Sequence, residues 1–454
     1  MNKLFRLIQS LLRLINSVLS EVFMILGAPL LFLTYLVLAK RRRQTEPRLV
    51  WGIDPLISNK YWSEALKEAG YHSTTLMSGV YAINKTADFD IYFDSLFQRY
   101  LKVRFVRLFV VRCRYYLIFL YSLKHFDIFH IPLHGFVLRF TFLKFQEAQL
   151  LKFAGKKVIV LPYGGDFYRY SEVDDVSLRH ALLKSYPDPA RNEYQFKKQL
   201  NYWVRRADIF LPTFQVDSVG RWDLFPFSAL SINTDAWPQK SQYSNSDGTS
   251  GSVKIIHTPN HRGFKGTEFI IQAIRELKDE GLKIDFILVE KRTNDEVKSL
   301  MQNADILVEQ IVATAYALSG IEGMVSGLPV LSNLDNEFYT RAFRRYSFLN
   351  ECPILSTTPE NVTANLRLLV TNPGLRKELG MAGRAYVQKY HSYQASQFMF
   401  GNIYDKIWRA SSVDLMNMYD PSDPNSYNRR FPLIQHPLKE NRLQPGEGFS
   451  TAKH

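Results

Sequence analysis

Two basic residues of one loop, Arg262 and Lys265, have the types and spacing of a phosphate site. They lie in the segment HTPNHRGFKGTEF, where an apolar strand ends at His257 and a helix follows within a few residues. Gly263 and Gly266 allow the backbone to turn closely around the two cations. Cations and free helix N–H groups that meet at the end of a strand bind diphosphate well. We therefore predict a diphosphate site here; a solvated basic loop is the alternative.

An acidic residue of the same half, Glu322, lies in the segment ADILVEQIVATAYALSGIEGMVSGLPVLS. The pattern predicts a strand over 306–308, a helix that opens near Gly320, and another strand from Val330. This order places Glu322 in the first helical turn, where the helix dipole favours a carboxylate. In a doubly wound sheet the same edge holds ligands. A glutamate that only caps its own helix is the alternative.

Both sites need strands and helices that alternate, and the chain supplies this alternation twice. Short apolar runs at 49–52, 128–131, 158–161 and 209–211 are separated by helical patterns, and a second alternation begins at Lys254. This rhythm is typical of parallel βαβ units. It predicts an α/β protein with two Rossmann-like domains.

Changes in composition give the predicted boundaries. A Ser-, Asn- and Gly-rich stretch is the clearest linker, and the end of the chain lacks periodicity. We expect membrane-associated helices over 1–45, an amino-terminal Rossmann-like domain over 46–238, a linker over 239–252, a carboxyl-terminal Rossmann-like domain over 253–409, and a disordered or loosely packed tail over 410–454.

The charge balance limits the partners. The chain has 454 residues and a net charge of +14, which favours phosphate groups, nucleic acid or an acidic membrane surface. Two cysteines, Cys113 and Cys352, exclude a disulfide framework and a zinc ligand set.

The amino terminus has the pattern of a membrane segment. Residues 1–20 combine an apolar helical stripe with basic residues, and residues 22–39 carry no charge. The basic cluster 40–43 follows and disfavours translocation, so we expect the body of the protein to be cytoplasmic. Spanning and monotopic attachment both fit.

Most of residues 48–408 resemble retaining family-four glycosyltransferases, and the resemblance is specific in the segment 254–332, which is similar to their nucleotide-sugar domain. These proteins have the GT-B fold, so the resemblance implies an acceptor domain and a nucleotide-sugar domain that face each other across a cleft. The run Glu322-Gly-Met-Val-Ser-Gly-Leu-Pro-Val330 is similar to the family motif Glu-Ala-Met-Ala-x-Gly-x-Pro-Val. The resemblance implies that Arg262, Gly263 and Lys265 bind the donor diphosphate and that Glu322 binds the ribose hydroxyls. It also implies transfer with retention and without a metal.

One position departs from the family pattern. The family commonly has a second glutamate near the transferred sugar, and the matching residue here is Thr314. Glu309 lies five residues too early to replace it without a different loop path. The resemblance therefore extends to the ribose contact and not to the sugar-contacting carboxylate.

Candidates in the amino-terminal half follow the ends of predicted strands. His130 and His134 flank the end of the 128–131 strand, and members of the resembled fold often place a histidine near this edge. His134 is the preferred catalytic candidate, and a structural loop histidine is the alternative. His130 is a cleft candidate.

A second group follows the next strand, where Gly164 and Gly165 permit close approach to a ligand and Asp166 is a further catalytic candidate. Asp166 could equally cap the following turn. Gly52, after the first strand, is another cleft candidate.

Together these features predict a glycosyltransferase that moves a sugar from a nucleotide-sugar to a saccharide or lipid-linked acceptor at a membrane surface. No cofactor, metal or nucleic-acid partner is expected. A catalytically silent relative that serves as a membrane-tethered scaffold is the alternative, and Thr314 favours it.

Overall fold

The computed structural model describes residues 2–39, 45–81, 84–98, 102, 104–163, 168–211 and 219–438. Two parallel β-sheets, one in each half of the chain, are interleaved with helices. The predicted α/β class with two Rossmann-like domains is confirmed.

The amino-terminal sheet has six strands in the order β3-β2-β1-β4-β5-β6, and all of its pairs are parallel. The strands are β1 Leu49–Ile53, β2 Ser73–Met77, β3 Ile91–Tyr92, β4 Ile128–Ile131, β5 Lys157–Val160 and β6 Ile209–Phe210. The strand order reverses between β1 and β4, so this is the switch point at which open α/β sheets hold ligands.

The helices of this half begin with the long amino-terminal one. They are α1 Asn2–Ala39, α2 Ile57–Glu68, α3 Arg104–His125, α4 Glu147–Phe153, α5 Val176–Ser185, α6 Pro187–Arg191 and α7 Glu193–Val204. Helix α5 starts where the Asp175 carboxylate accepts a hydrogen bond from Leu178 N at 3.0 Å. Its start is thereby fixed, and this helix forms one wall of the site described below.

The carboxyl-terminal sheet has the order β11-β10-β9-β7-β8, again parallel throughout. Its strands are β7 Val253–His257, β8 Ile284–Leu288, β9 Ile306–Val308, β10 Val330–Ser332 and β11 Leu355–Ser356. The helices are α8 Arg262–Lys265, α9 Thr267–Asp279, α10 Asn294–Gln302, α11 Leu318–Val325, α12 Glu337–Tyr346, α13 Val362–Thr371, α14 Pro373–Tyr390 and α15 Tyr393–Ile407. The switch point lies between β7 and β9.

The last helix, α15, packs mainly on α2 of the amino-terminal domain. The Tyr404 hydroxyl lies 2.9 Å from Nε2 of His130, and the Tyr393 hydroxyl donates to Glu64 at 2.7 Å. Residues 393–407 of the predicted domain 253–409 therefore lie against the amino-terminal domain. Phe400 of the same helix packs edge-on against Trp51, with ring centroids 5.0 Å apart, and belongs to the same apolar cluster.

The predicted linker 239–252 is packed against the carboxyl-terminal domain. Lys240 is buried and donates to the Ala304 carbonyl, and the Arg376 guanidinium donates to the carbonyls of Ser244 and Ser246. Hydrogen bonds from Arg376 to its backbone carbonyls, and from its own Lys240 to Ala304, thus hold this segment in place.

The predicted loose tail is also wrong for its first part. Tyr419 and Tyr427 are buried, and the Tyr427 hydroxyl donates to the Lys389 carbonyl at 2.8 Å. The Glu351 carboxylate, which is paired with Lys389, accepts a hydrogen bond from Ile434 N. Scattered aromatic residues provide this packing without any sequence period. Residues 439–454 lie outside the described residues.

Helix α1 is continuous and packs along α3. None of the described helices combines the length and the hydropathy needed to cross a bilayer. The basic cluster 40–43, from which a cytoplasmic body was predicted, lies outside the described residues.

Candidate functional site

The loop after β7 is fixed by a buried histidine. His257 lies with Nδ1 at 2.7 Å from the Val308 carbonyl oxygen and Nε2 at 2.8 Å from the Thr267 hydroxyl. Burial lowers the pKa of His257 to about 4, so the ring is neutral at pH 7. It joins β9 to the first residue of α9, and the strand-to-helix turn between them is thereby held in one position.

Helix α9 begins beside an interdomain cavity. The cavity has a volume of about 750 Å³ and lies between α5 of the amino-terminal domain and the loops after β7, β9, β10 and β11. Arg262, Gly263, Gly266 and Thr314 are on its wall, together with His180 and Lys184 from α5. Of the predicted donor residues, therefore, Arg262 and Gly263 share one space with Thr314.

Arg262 is held by two exposed carboxylates. Its guanidinium contacts Glu268 at 2.7 Å and Glu290 at 3.2 Å, and 40% of the arginine side chain is exposed. Exposed ion pairs of this kind contribute about 0–1 kcal/mol, because water and salt screen them. An incoming anion can therefore exchange for these partners at little cost.

Lys265, unlike Arg262, is buried together with its partner. Its ammonium forms an ion pair with Glu309 and donates to the Gln310 side-chain oxygen at 3.0 Å; the lysine and glutamate side chains are 5% and 0% exposed. Lys265 is not among the residues that line the cavity. Its charge is already neutralised in the core at the switch point between β7 and β9.

Glu309 organises the loop after β9. Besides Lys265, its carboxylate accepts hydrogen bonds from the hydroxyls of Ser319 and Ser332, each at 2.9 Å. Nothing in the sequence linked Glu309 to Lys265, since they are far apart in the chain and the pairing arises from the β7–β9 crossover. The signal that could have revealed it was a carboxylate directly after a buried strand, facing a lysine that also follows one.

Thr314 brings an unsatisfied hydroxyl to the cavity. The residue is 1% exposed, its backbone bridges to Asn333, and its Oγ1 has no hydrogen-bond partner among the described residues. Thr258, directly after β7, also has a buried Oγ1 without a partner. A buried hydroxyl without a partner costs roughly 1–3 kcal/mol, so such groups usually await a ligand or water.

Glu322 lies away from this cavity. Helix α11 begins at Leu318, so Glu322 is in its second turn, and the prediction of a first-turn position is wrong. The side chain accepts a hydrogen bond from Asn294 Nδ2 at 3.0 Å. Burial raises the pKa of Glu322 to about 7, although Asn294 and the charge of Lys265 oppose the shift. Glu322 is not on the cavity wall. It lies near Tyr61 of α2, because burial and then the negative charge of Glu322 raise the pKa of Tyr61.

The switch point of the amino-terminal sheet holds a second cluster. The Asp54 carboxylate, directly after β1, accepts hydrogen bonds from Arg139 at 2.6 and 3.1 Å and from the Tyr163 hydroxyl at 2.7 Å. Burial alone would raise the pKa of Asp54, but Arg139 and Tyr163 outweigh it and hold the pKa below its usual value. Sequence reasoning did not single out Arg139, because it lies in a short 3₁₀ turn without a motif.

His134 borders this cluster. Burial, followed by the positive charge of Arg139, lowers the pKa of His134, while Asp54 opposes the shift. The turn that carries Arg139 is held by Glu147, which accepts hydrogen bonds from Phe136 N and Leu138 N at 2.8 and 2.7 Å. The structure thus brings His134 to the carboxyl edge of the sheet, as its position after β4 indicated.

The comparisons with known proteins bear on the fold. No model of a protein family matches the chain, and no curated protein matches its sequence. Sucrose-phosphate synthase from Thermosynechococcus elongatus superposes with a TM-score of 0.50 at 14% identity, over 81% of this chain and 100% of that one. The chain has the GT-B fold.

Two further solved structures are less similar. An α-glucosyltransferase in complex with UDP and a 13-mer DNA gives a TM-score of 0.47 at 12% identity, over 80% of this chain and 100% of that one. A glycosyltransferase from Rickettsia africae gives 0.44 at 13% identity, over 81% of this chain and 100% of that one.

Two further candidates of the amino-terminal half, His130 and Gly52, are packed within its sheet. His130 is in the core and not in a cleft: it stacks on Trp51 at 3.6 Å, and Nδ1 lies 3.1 Å from the Val50 carbonyl oxygen. Gly52 is inside β1, where a Cβ would lie 2.2 Å from the Leu76 carbonyl oxygen, so sheet packing explains the glycine.

The remaining candidates of this half, Gly164, Gly165 and Asp166, lie outside the described residues.

Proposed function

We propose that this protein is a glycosyltransferase that binds a nucleotide-sugar donor in the cavity between α5 and the carboxyl-terminal sheet. The observation that carries the proposal is the wall of that cavity, which combines Arg262, the first turn of α9 and Thr314, a buried residue whose hydroxyl has no partner among the described residues. These groups offer a cation, a hydroxyl and free helix N–H groups to the same ligand.

The chemistry assigned to these residues is stabilisation of a leaving group. Negative charge develops on the nucleotide diphosphate as the glycosidic bond breaks, and Arg262 can leave its exposed carboxylate partners to meet that charge. The Thr314 hydroxyl donates a hydrogen bond to a phosphate or sugar oxygen. Retention of the anomeric configuration is part of the proposal, and a metal ion is not.

The acceptor side is assigned to the amino-terminal domain. His134 and the Asp54–Arg139 pair lie at the carboxyl edge of its sheet, which in GT-B proteins faces the shared cleft. We propose a saccharide or lipid-linked saccharide as acceptor. Glu322, with a pKa of about 7, retains its proposed ribose contact; reaching it requires a nucleoside that extends past the cavity wall.

Membrane-surface attachment belongs to the same proposal. Leu30, Phe32, Leu33 and Val37 of α1 are exposed, and Phe153 of α4 extends the apolar surface. Exposed basic residues of α3 and the net charge of +14 complement an anionic bilayer.

Vesicle flotation tests the attachment. The full chain should float with vesicles that contain phosphatidylglycerol, and Leu33→Glu with Val37→Glu should abolish flotation. Phe338→Glu, at an exposed position of α12, is the matched control and should float like wild type. Equal flotation of the double variant would contradict the attachment.

Donor binding and turnover test the main proposal. We expect one nucleoside diphosphate or its sugar conjugate, among the UDP, GDP, dTDP and ADP series, to raise the melting temperature of the protein. Arg262→Ala should remove this shift and the hydrolysis or transfer of the sugar.

Arg367→Ala is the matched control for Arg262→Ala. Arg367 also pairs with one exposed glutamate, Glu280, and its side chain is 42% exposed, but it lies away from the cavity. Binding that Arg262→Ala abolishes, without any hydrolysis or transfer, would support the silent scaffold. A protein that binds no member of the series would overturn the proposal.

A further inference from the structure

The buried Lys265–Glu309 pair leaves the cavity short of positive charge. A nucleoside diphosphate carries at least two negative charges, and Arg262 is the cation that the carboxyl-terminal domain presents on the cavity wall. Releasing Lys265 to a ligand would strand Glu309 in the core without its cation, which is costly for a buried charge. A second cation has to come from another element.

Helix α5 of the amino-terminal domain places a second cation, Lys184, at the required position. The side-chain stem of Lys184 lies directly over Gly263: a Cβ at Gly263 would be 3.0 Å from Cδ and 3.6 Å from Cε of Lys184. Among the described residues, the Lys184 ammonium has no salt bridge or hydrogen bond, and it is exposed on the cavity wall.

Both ends of α5 are fixed across the cavity. At its start, Asn336 of the carboxyl-terminal domain donates to the Asp175 carboxylate at 2.9 Å. Just past its end, Tyr186 packs on His261 with ring centroids 4.4 Å apart. Lys184 therefore stands on a positioned helix, opposite Arg262 and the unpartnered Thr314 hydroxyl.

We propose that Lys184 is the second cation of the donor diphosphate site and that it replaces Lys265 in this role. The inference rests on the proposed function and adds to it a binding residue from the opposite domain. Arg262 and Lys184 would then bind the diphosphate from two domains, so donor binding would stabilise the contact between the amino-terminal and carboxyl-terminal domains. Gly263 is glycine because the lysine stem passes over it.

The test is titration of the full chain with UDP, GDP, dTDP and ADP, and with the corresponding monophosphates, by calorimetry. Lys184→Gln should weaken the nucleoside diphosphate about tenfold, the loss of one charge-assisted contact, and the monophosphate by much less. The advantage of diphosphate over monophosphate should therefore shrink. Gly263→Ala, which displaces the lysine stem, should reproduce part of the loss.

Lys278→Gln is the matched control, because Lys278 is an exposed lysine in the last turn of α9, at the end away from the cavity. It should bind like wild type. The ligand-free melting curves of Lys184→Gln and Lys278→Gln should coincide with that of wild type, because both lysines are exposed.

If Arg262→Ala loses the diphosphate and Lys184→Gln keeps wild-type affinity, the inference is wrong and the proposed function stands. If wild type binds none of the diphosphates, the proposed function fails and the inference with it.

Discussion

The two switch points of this molecule are built alike but differ in how deeply their ion pairs are buried. Each is crossed by an ion pair between the loops of two adjacent strands: Asp54–Arg139 between β1 and β4, and Lys265–Glu309 between β7 and β9. Beside the second pair lies the cavity with the unpartnered Thr314 hydroxyl. An ion pair at a switch point therefore does not itself mark a ligand; space and unsatisfied groups next to it do.

The two ion pairs also differ in whether their side chains are available to a ligand. Lys265 and Glu309 are almost fully buried, so neither is available to a ligand without a large cost. Asp54 and Arg139 keep some exposure and border His134, so this cluster can still contact an acceptor. Under the proposed function, donor binding would therefore depend on residues around the Lys265–Glu309 pair, and acceptor binding on the Asp54–Arg139 pair itself.

The largest effect is expected where the buried pair is broken. Glu309→Ala should lower the free energy of unfolding by about 4 kcal/mol, because Lys265 is left buried without its carboxylate. Urea denaturation measures the loss. Lys265→Met combined with Glu309→Gln should recover more than half of it, since no buried charge remains. A loss below about 1 kcal/mol for Glu309→Ala would show that water reaches the pair.

Glu322 contrasts with the paired carboxylates, because its raised pKa makes ionisation unfavourable in the folded state. Wild type should lose stability as the pH rises from the usual value of 4.5 through about 7. Glu322→Gln removes this penalty, so it should exceed wild type by up to about 3 kcal/mol at pH 8 and converge with it near pH 4. Urea denaturation at several pH values measures the difference; a constant offset would contradict the raised pKa.

The amino-terminal pair should be weaker and should respond to acid. The pKa of Asp54 is held below its usual value, so the pair stabilises the fold above that range and loses its effect as the pH falls through the folded pKa. Asp54→Asn should therefore cost about 2 kcal/mol at pH 7, and the difference from wild type should vanish in acid. A penalty as large as that of Glu309→Ala would remove the contrast between the two switch points.

The smallest effect separates stability from binding. Thr314→Val removes a buried hydroxyl without a partner and should stabilise the protein by about 1 kcal/mol while weakening the nucleotide. Ser326 also has a buried, unpartnered Oγ, but it is not on the cavity wall. Ser326→Ala is therefore the control, with a similar gain and unchanged binding by calorimetry. Equal binding by Thr314→Val would separate this hydroxyl from the donor site.

Much of the fold could be predicted from local pattern. The strand 306–308 was predicted with the bounds that the structure has, and so was the strand 128–131. Apolar runs and helical periods act over a few residues, so they remain readable in one sequence. Composition did not reveal the packing of 239–252 or of the first part of the tail, because scattered arginines and aromatics pack through contacts with distant elements.

At the site, local sequence pattern identified the two basic residues after β7, the turn that carries them, and the parallel α/β frame around them. The packing of the two domains places Lys265 against Glu309, Arg262 on a cavity wall, and Lys184 across from it. Pattern could not show this, because the function of a charged side chain depends on its burial and on its partner. The partners here come from strands and helices that are adjacent in space and distant in the chain.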